Sequence, residues 1–137
     1  MAFSSENLLK QLDRPEIIDW ALELKNRKEA YTFLTQAVRG NKLNLNQFRN
    51  ALHALFRIAF PENGPGVLQT FVDVAGDPNE AIRSEAVQVA IGLLRWSANN
   101  QKTPVLLSVD QEDSLRRAMA QGLSPKVAKL AARYFGL

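Results

Sequence analysis

An all-α fold of stacked helical hairpins is predicted by three observations on this chain of 137 residues. Apolar residues recur at the 3.6-residue period of a helix, and no stretch alternates apolar and polar residues long enough for a good strand. Residues 77–94, DPNEAIRSEAVQVAIGLL, open on an acid-proline turn and then repeat small and branched apolar residues at Ile82, Ala86, Val89, Ala90 and Leu93. A related pattern closes the chain, with Ser124-Pro125 followed by Val127, Ala131 and Phe135. Both stretches read as second helices of hairpins, the unit of an α-solenoid.

The elements follow in order. Ser4 or Ser5 caps a first helix over about 5–12. Pro15 takes a favoured first-turn position, and Ile17, Trp20, Ala21 and Leu24 then share one side. Residues 28–39 are helical and stop at Gly40-Asn41; with 15–25 they make one bent helix or two. Asn44 or Asn46 caps a long helix to Phe60, with Leu45, Phe48, Leu52, Leu55, Phe56 and Ala59 on its apolar arc. PENGPG at 61–66 breaks the chain, and a short helix over 66–75 runs to Gly76. Pro78 starts the next helix, which reaches about Ser97 and is followed by a polar loop at 98–103. Pro104–Val109 is either a short strand or a helix start. Asp110 caps 111–121, Gly122 stops it, Ser124 caps the last helix and Gly136 ends it.

The three longer helices end near 60, 97 and 136, a spacing of about 37–39 residues that approaches the ~40–47 of HEAT and armadillo repeats. Asp77-Pro78, Ile82-Arg83, Ala86, Ala90 and Leu93 resemble a HEAT-repeat second helix, including the HEAT-like repeats of the phycobilisome-lyase type. Ser124-Pro125, Val127 and Ala131 match less fully, since Ala128 replaces the basic residue, and helix 44–60 offers only Ala51 and Leu55. The resemblance implies a short right-handed α-solenoid of about three antiparallel helix pairs, preceded by an extra helix or two. It also implies that the second helices line one concave binding face, and that Asp77 and Arg83 tie neighbouring repeats together in a structural role. The bilin-attaching members are longer, so their activity is not carried over. A compact helical bundle gives the same periodicity and stands as the alternative. No composition shift divides the chain, so residues 1–137 are expected to form a single domain.

Composition narrows the function. Apolar residues make up 46% and charged residues 23%, ordinary for a folded chain. The absence of cysteine excludes disulfides and thiol chemistry. Neither a signal peptide nor an apolar run of the ~18 residues a membrane span needs is visible, so no membrane association and a cytoplasmic location are expected. The net charge of +3 permits an acidic partner without demanding one.

Candidate chemistry is sparse. His53 is the sole histidine and falls between Arg49 and Arg57 on a polar helix arc, where it solvates the helix. The acidic pairs Glu16/Asp19 and Glu112/Asp113 fall in first helical turns, where the helix dipole favours them by roughly 0.3–1 kcal/mol each. ENGPGV at 62–67 lacks the lysine and preceding strand of a phosphate loop. No enzyme, cofactor or metal is expected.

Binding has a stronger signal. The polar arc of 44–60 holds Asn46, Arg49, Asn50, His53 and Arg57, and that of 124–136 holds Lys126, Lys129 and Arg133, neither with an acidic residue. The middle helix carries a mixed arc that includes Gln88 and Arg95. The expected partner-binding residues are therefore Arg49, His53, Arg57, Gln88, Arg95, Lys126, Lys129 and Arg133, acting in a scaffold or adaptor that binds an acidic protein. Nucleic acid is the alternative partner, although no aromatic residue interleaves the basic stripe. Solvation of the helices explains the same basic pattern. Trp20 and Trp96 are expected in or near the core. No polar capping helix follows Phe135, so the last pair either carries a polar outer face or meets a partner or second copy.

Overall fold

The computed structural model describes Leu12, residues 27–40 and residues 42–137. The expected helices over 5–12 and 15–25, with Trp20 and the Glu16/Asp19 pair, lie outside the described residues. Six helices are described: α1 (Arg27–Arg39), α2 (Leu45–Ile58), α3 (Gly64–Val74), α4 (Glu80–Asn100), α5 (Val109–Gln121) and α6 (Pro125–Phe135). The described residues contain no strand. The chain groups into two compact units, Met1–Val67 and Leu68–Leu137.

In the first unit α1 packs on α2. Their buried faces are Ala30, Leu34 and Val38 against Phe48, Leu52, Leu55 and Ile58, each set at helical spacing. Asn44 starts α2 through a capping box. Its Oδ1 accepts from the Gln47 backbone at 2.8 Å while Gln47 Oε1 accepts from the Asn44 N–H at 3.1 Å. Asn50, expected on the solvated arc, is half-buried and its Nδ2 donates to the Leu12 carbonyl.

Helix α3 starts at Gly64, earlier than the expected 66, because Pro65 suits a first turn that has no N–H bonds to make. Gly66 is needed there for space. A Cβ on it would lie 2.1 Å from the Tyr31 hydroxyl oxygen and 3.1 Å from Cζ.

The second unit is organised by α4. Its buried residues include Ala86, Val87, Ala90, Ile91, Leu93 and Leu94, which form one broad face, with Glu85, Gln88, Arg95 and Trp96 on the other. Val87, Ile91 and Leu94 widen the single stripe that the sequence pattern suggests. Ile82, expected on that stripe, is only half-buried. Each fully buried Ile or Leu on the broad face contributes about 1.5–3 kcal/mol. Both α5 and α6 pack on α4.

The caps correct three boundaries. Helix α4 starts at Glu80 rather than at Pro78, capped by Asn79, whose Oδ1 accepts from Ala81 N at 2.9 Å and Ile82 N at 3.3 Å. Helix α4 continues through Asn100 rather than stopping near Ser97, so the expected loop moves to 101–108. Ser108, not Asp110, caps α5, because Gln111 completes a reciprocal box at 3.1 and 2.9 Å. The segment 104–108 is neither strand nor helix and is held by a 2.7 Å bond from Val105 N to the buried Ser97 hydroxyl. Trp96, expected near the core, is 40% exposed. Gly136 ends α6 in the left-handed region at φ 73°, where glycine carries no Cβ penalty.

The most heavily bonded side chain of the second unit is Arg83, only 4% exposed. Its Nε and Nη2 donate to the Gly122 carbonyl at 2.8 and 2.6 Å. Its Nη1 donates to the Asp77 and Pro78 carbonyls at 3.0 and 2.9 Å. The neighbouring Ser84 hydroxyl accepts from Ser124 N at 2.8 Å. Arg83 thus joins the turn before α4 to the turn between α5 and α6. The Asp77 carboxylate does not share this bridge; it accepts from Asn79 N at 2.8 Å and orders its own turn.

Replacing Arg83 with Met is expected to lower stability by about 2–4 kcal/mol, because it strands buried carbonyls of two turns. Arg83→Lys is expected to recover only part, since an ammonium lacks the planar fork; urea denaturation followed by circular dichroism measures both. Gly66→Ala gains about 1 kcal/mol of helix propensity but loses about 1–3 kcal/mol to the clash with Tyr31. The same change in a Tyr31→Phe background is expected to be neutral or stabilising, measured as the difference between the two denaturation midpoints.

Candidate functional site

The expected binding residues fall into two groups, one in each unit. In the first unit Arg49, His53 and Arg57 are exposed on α2. They stand four residues apart and so share one stripe of the helix. His53 therefore faces solvent, and no described feature encloses it.

In the second unit Gln88, Lys126, Lys129 and Arg133 come together along one groove of about 560 Å³ beside α6. Pro125, Val127 and Leu130 complete its lining, Pro125 exposed and Leu130 half-buried. The three cations are exposed, while Val127 is buried at 5% exposure. No acidic residue lines this groove. The sequence reading named the cations and missed the apolar lining. The signal was present in the i, i+3 spacing of Val127 and Leu130, which sets an apolar strip next to the basic one.

Arg95 does not line the groove. Its guanidinium lies over the Tyr134 ring, 5.7 Å from the centroid, which makes it a packing residue of α4 and α6. Tyr134 and Phe135 meet edge to face, with centroids 5.2 Å apart at 74°. Arg116 covers Phe135 at 4.8 Å. Arg116 and Arg117 are further engaged by acidic residues one turn earlier, Arg116 with Glu112 at 3.6 Å and Arg117 with Asp113. The acidic pair Glu112/Asp113 thus offsets the two cations of α5 and leaves those of α6 as the unit's concentrated basic surface.

Burial raises the Tyr134 phenol above its ordinary value of 10.0; Arg95 opposes the shift and Glu112 adds to it. Folding favours the neutral phenol, so this contribution is complete below pH 10 and is lost as pH rises through the raised value.

A separate cleft in the first unit encloses about 440 Å³ between Arg27, Lys28, Tyr31 and residues 61–63. Arg27 Nη1 donates to the Phe60 carbonyl at 3.0 Å, and its buried Nε has no hydrogen-bond partner. The sequence reading did not select this cleft, because its walls come from residues over 30 positions apart.

Among the described residues no group of three or more His, Cys, Asp or Glu side chains could hold a metal ion. No helix among them is long and apolar enough to cross a membrane.

In a Tyr31→Phe background, ultraviolet titration of Tyr134 is expected to give a midpoint above 10. Arg95→Ala should raise that midpoint further and Glu112→Gln should lower it. An unchanged midpoint in Arg95→Ala would place the guanidinium away from the ring.

Comparison with known proteins finds no matching family model, no matching curated protein and no matching solved structure.

Proposed function

We propose that the protein is a non-catalytic interaction module of HEAT-like build that binds an acidic protein through basic helix surfaces. The observation that carries the reading is the groove beside α6, where Lys126, Lys129 and Arg133 converge with no acidic residue among its lining. A cationic cleft of this kind steers an anionic surface and suppresses cationic partners.

Two contacts support the HEAT-like arrangement. Ser84 meets Ser124 near the starts of α4 and α6, and Arg95 meets Tyr134 about ten residues further along each. The two helices thus advance in the same sense, as second helices of successive hairpins do. Arg83 then acts as the tie from one hairpin to the next. A binding role agrees with the position of His53, which stands in solvent on α2 instead of in an enclosed site.

Charge reversal tests the proposal. Lys126→Glu/Lys129→Glu/Arg133→Glu is expected to reduce partner recovery from native extract strongly while leaving the circular dichroism spectrum intact. Equal recovery by both proteins would refute the basic-surface reading. The nucleic-acid alternative is separated by salt: a phosphate-backbone ligand loses affinity with a log–log slope of about 0.9 per phosphate contact.

A further inference from the structure

The groove beside α6 has two chemical flanks, and together they specify more than an acidic surface. On a helical wheel Lys126, Lys129 and Arg133 occupy an arc of about 60°, with Leu130 and then Val127 following on one side. The cations span seven residues, which is about 10 Å of helix axis, or two turns. Gln88 of α4 stands across the groove and offers an amide that both donates and accepts.

We infer that this groove receives the amphipathic face of an acidic helix from a partner protein. Carboxylates one turn apart would meet Lys126, Lys129 and Arg133, and a leucine-sized anchor would cover the half-buried Leu130. The inference rests on the reading of α6 as a surface for an acidic partner and adds the partner's shape and its apolar anchor.

Charge and packing both select this occupant. A bare polyanion uses the cations and leaves the exposed part of Leu130 in water. A single-stranded nucleic acid gains affinity by stacking its bases on aromatic side chains, and the groove is lined by none; a duplex would use the cations alone. A second copy docking symmetrically would set the same three cations against their own images, which opposes the contact. An amphipathic acidic helix satisfies both flanks, in the manner of a helix laid into a groove.

The test uses the full chain and fluorescein-labelled helical peptides. One peptide carries glutamate at i, i+3 and i+7 with leucine at i+1 and i+4; its twin carries serine in place of leucine. Fluorescence anisotropy at physiological ionic strength is expected to show the leucine peptide binding at least about tenfold tighter. Lys126→Glu/Lys129→Glu should weaken both peptides. Leu130→Ser, checked for folding by circular dichroism, should erase the difference between the twins.

Equal affinity of the twins, both lost on charge reversal, would overturn the amphipathic-helix inference and leave the acidic-partner reading standing. Binding of neither peptide, even at low salt, would overturn both. A single-stranded oligonucleotide binding more tightly than the leucine peptide, with a steep salt dependence, would overturn the inference in favour of nucleic acid.

Discussion

The second unit depends on one buried cation. Removing a guanidinium from water is expensive unless its donors are used, and Arg83 spends four contacts on three backbone carbonyls. One of those carbonyls, that of Gly122, sits at a position that an α-helix leaves unsatisfied. Gly122 follows the last turn of α5, where carbonyls lack intrahelical partners and carry the negative end of the dipole. Asp77 and Pro78 precede the cap of α4. One side chain therefore settles the hydrogen bonding of two turns. Gly122 also takes φ 120°, a backbone conformation that glycine adopts freely. Ser84 completes the arrangement by holding Ser124 N, so that consecutive residues of α4 grip both sides of the same turn.

This arrangement lets the broad buried face of α4 include two polar residues. Arg83 and Ser84 do not face water; each is 4% exposed and hydrogen-bonded to turn backbone. The rest of the face is free to pack, and Ala86 and Ala90, both fully buried, let neighbouring backbones approach. Charge is displaced to the outer helices. On α5 the cations sit one turn after their acidic partners, and such exposed pairs add only about 0–1 kcal/mol each. On α6 the cations line a groove without acidic residues, so no carboxylate of that lining offsets them.

Helix positions were legible in the sequence because period and caps act locally. Asn44 and Gly136 end their helices where the chain pattern places them. The start of α5 was misplaced because two residues competed for one cap. Ser108 prevails over Asp110 because Gln111 returns its bond, and α4 starts beyond Pro78 because Asn79 offers an acceptor to Ala81 and Ile82. Tertiary partners were legible only in part. The basic residue after Ile82 marks a tie, but nothing local distinguishes the Asp77 carboxylate from the Asp77 carbonyl as its acceptor. Arg95 looked like a solvated cation because its ring, Tyr134, lies 39 residues away. The cations of the groove were found from their wheel positions; its apolar lining was not, because apolar residues at helical spacing also describe a core.

The same contacts that hold the second unit also set the width of its groove. Ser84 and Ser124 fix α6 to α4 at one end, and Arg95 on Tyr134 fixes it at the other. Gln88 and the stretch from Lys126 to Arg133 lie between these ties. The cations are therefore carried on a helix that is pinned on both sides, so only their side chains lose freedom when a ligand arrives. Ordering a side chain forfeits about 0.5–1.5 kcal/mol, far less than ordering the helix that bears it. A binding groove built this way can vary its rim residues without disturbing its frame, because the frame rests on Arg83, Ser84 and the Arg95–Tyr134 stack, none of which forms the rim.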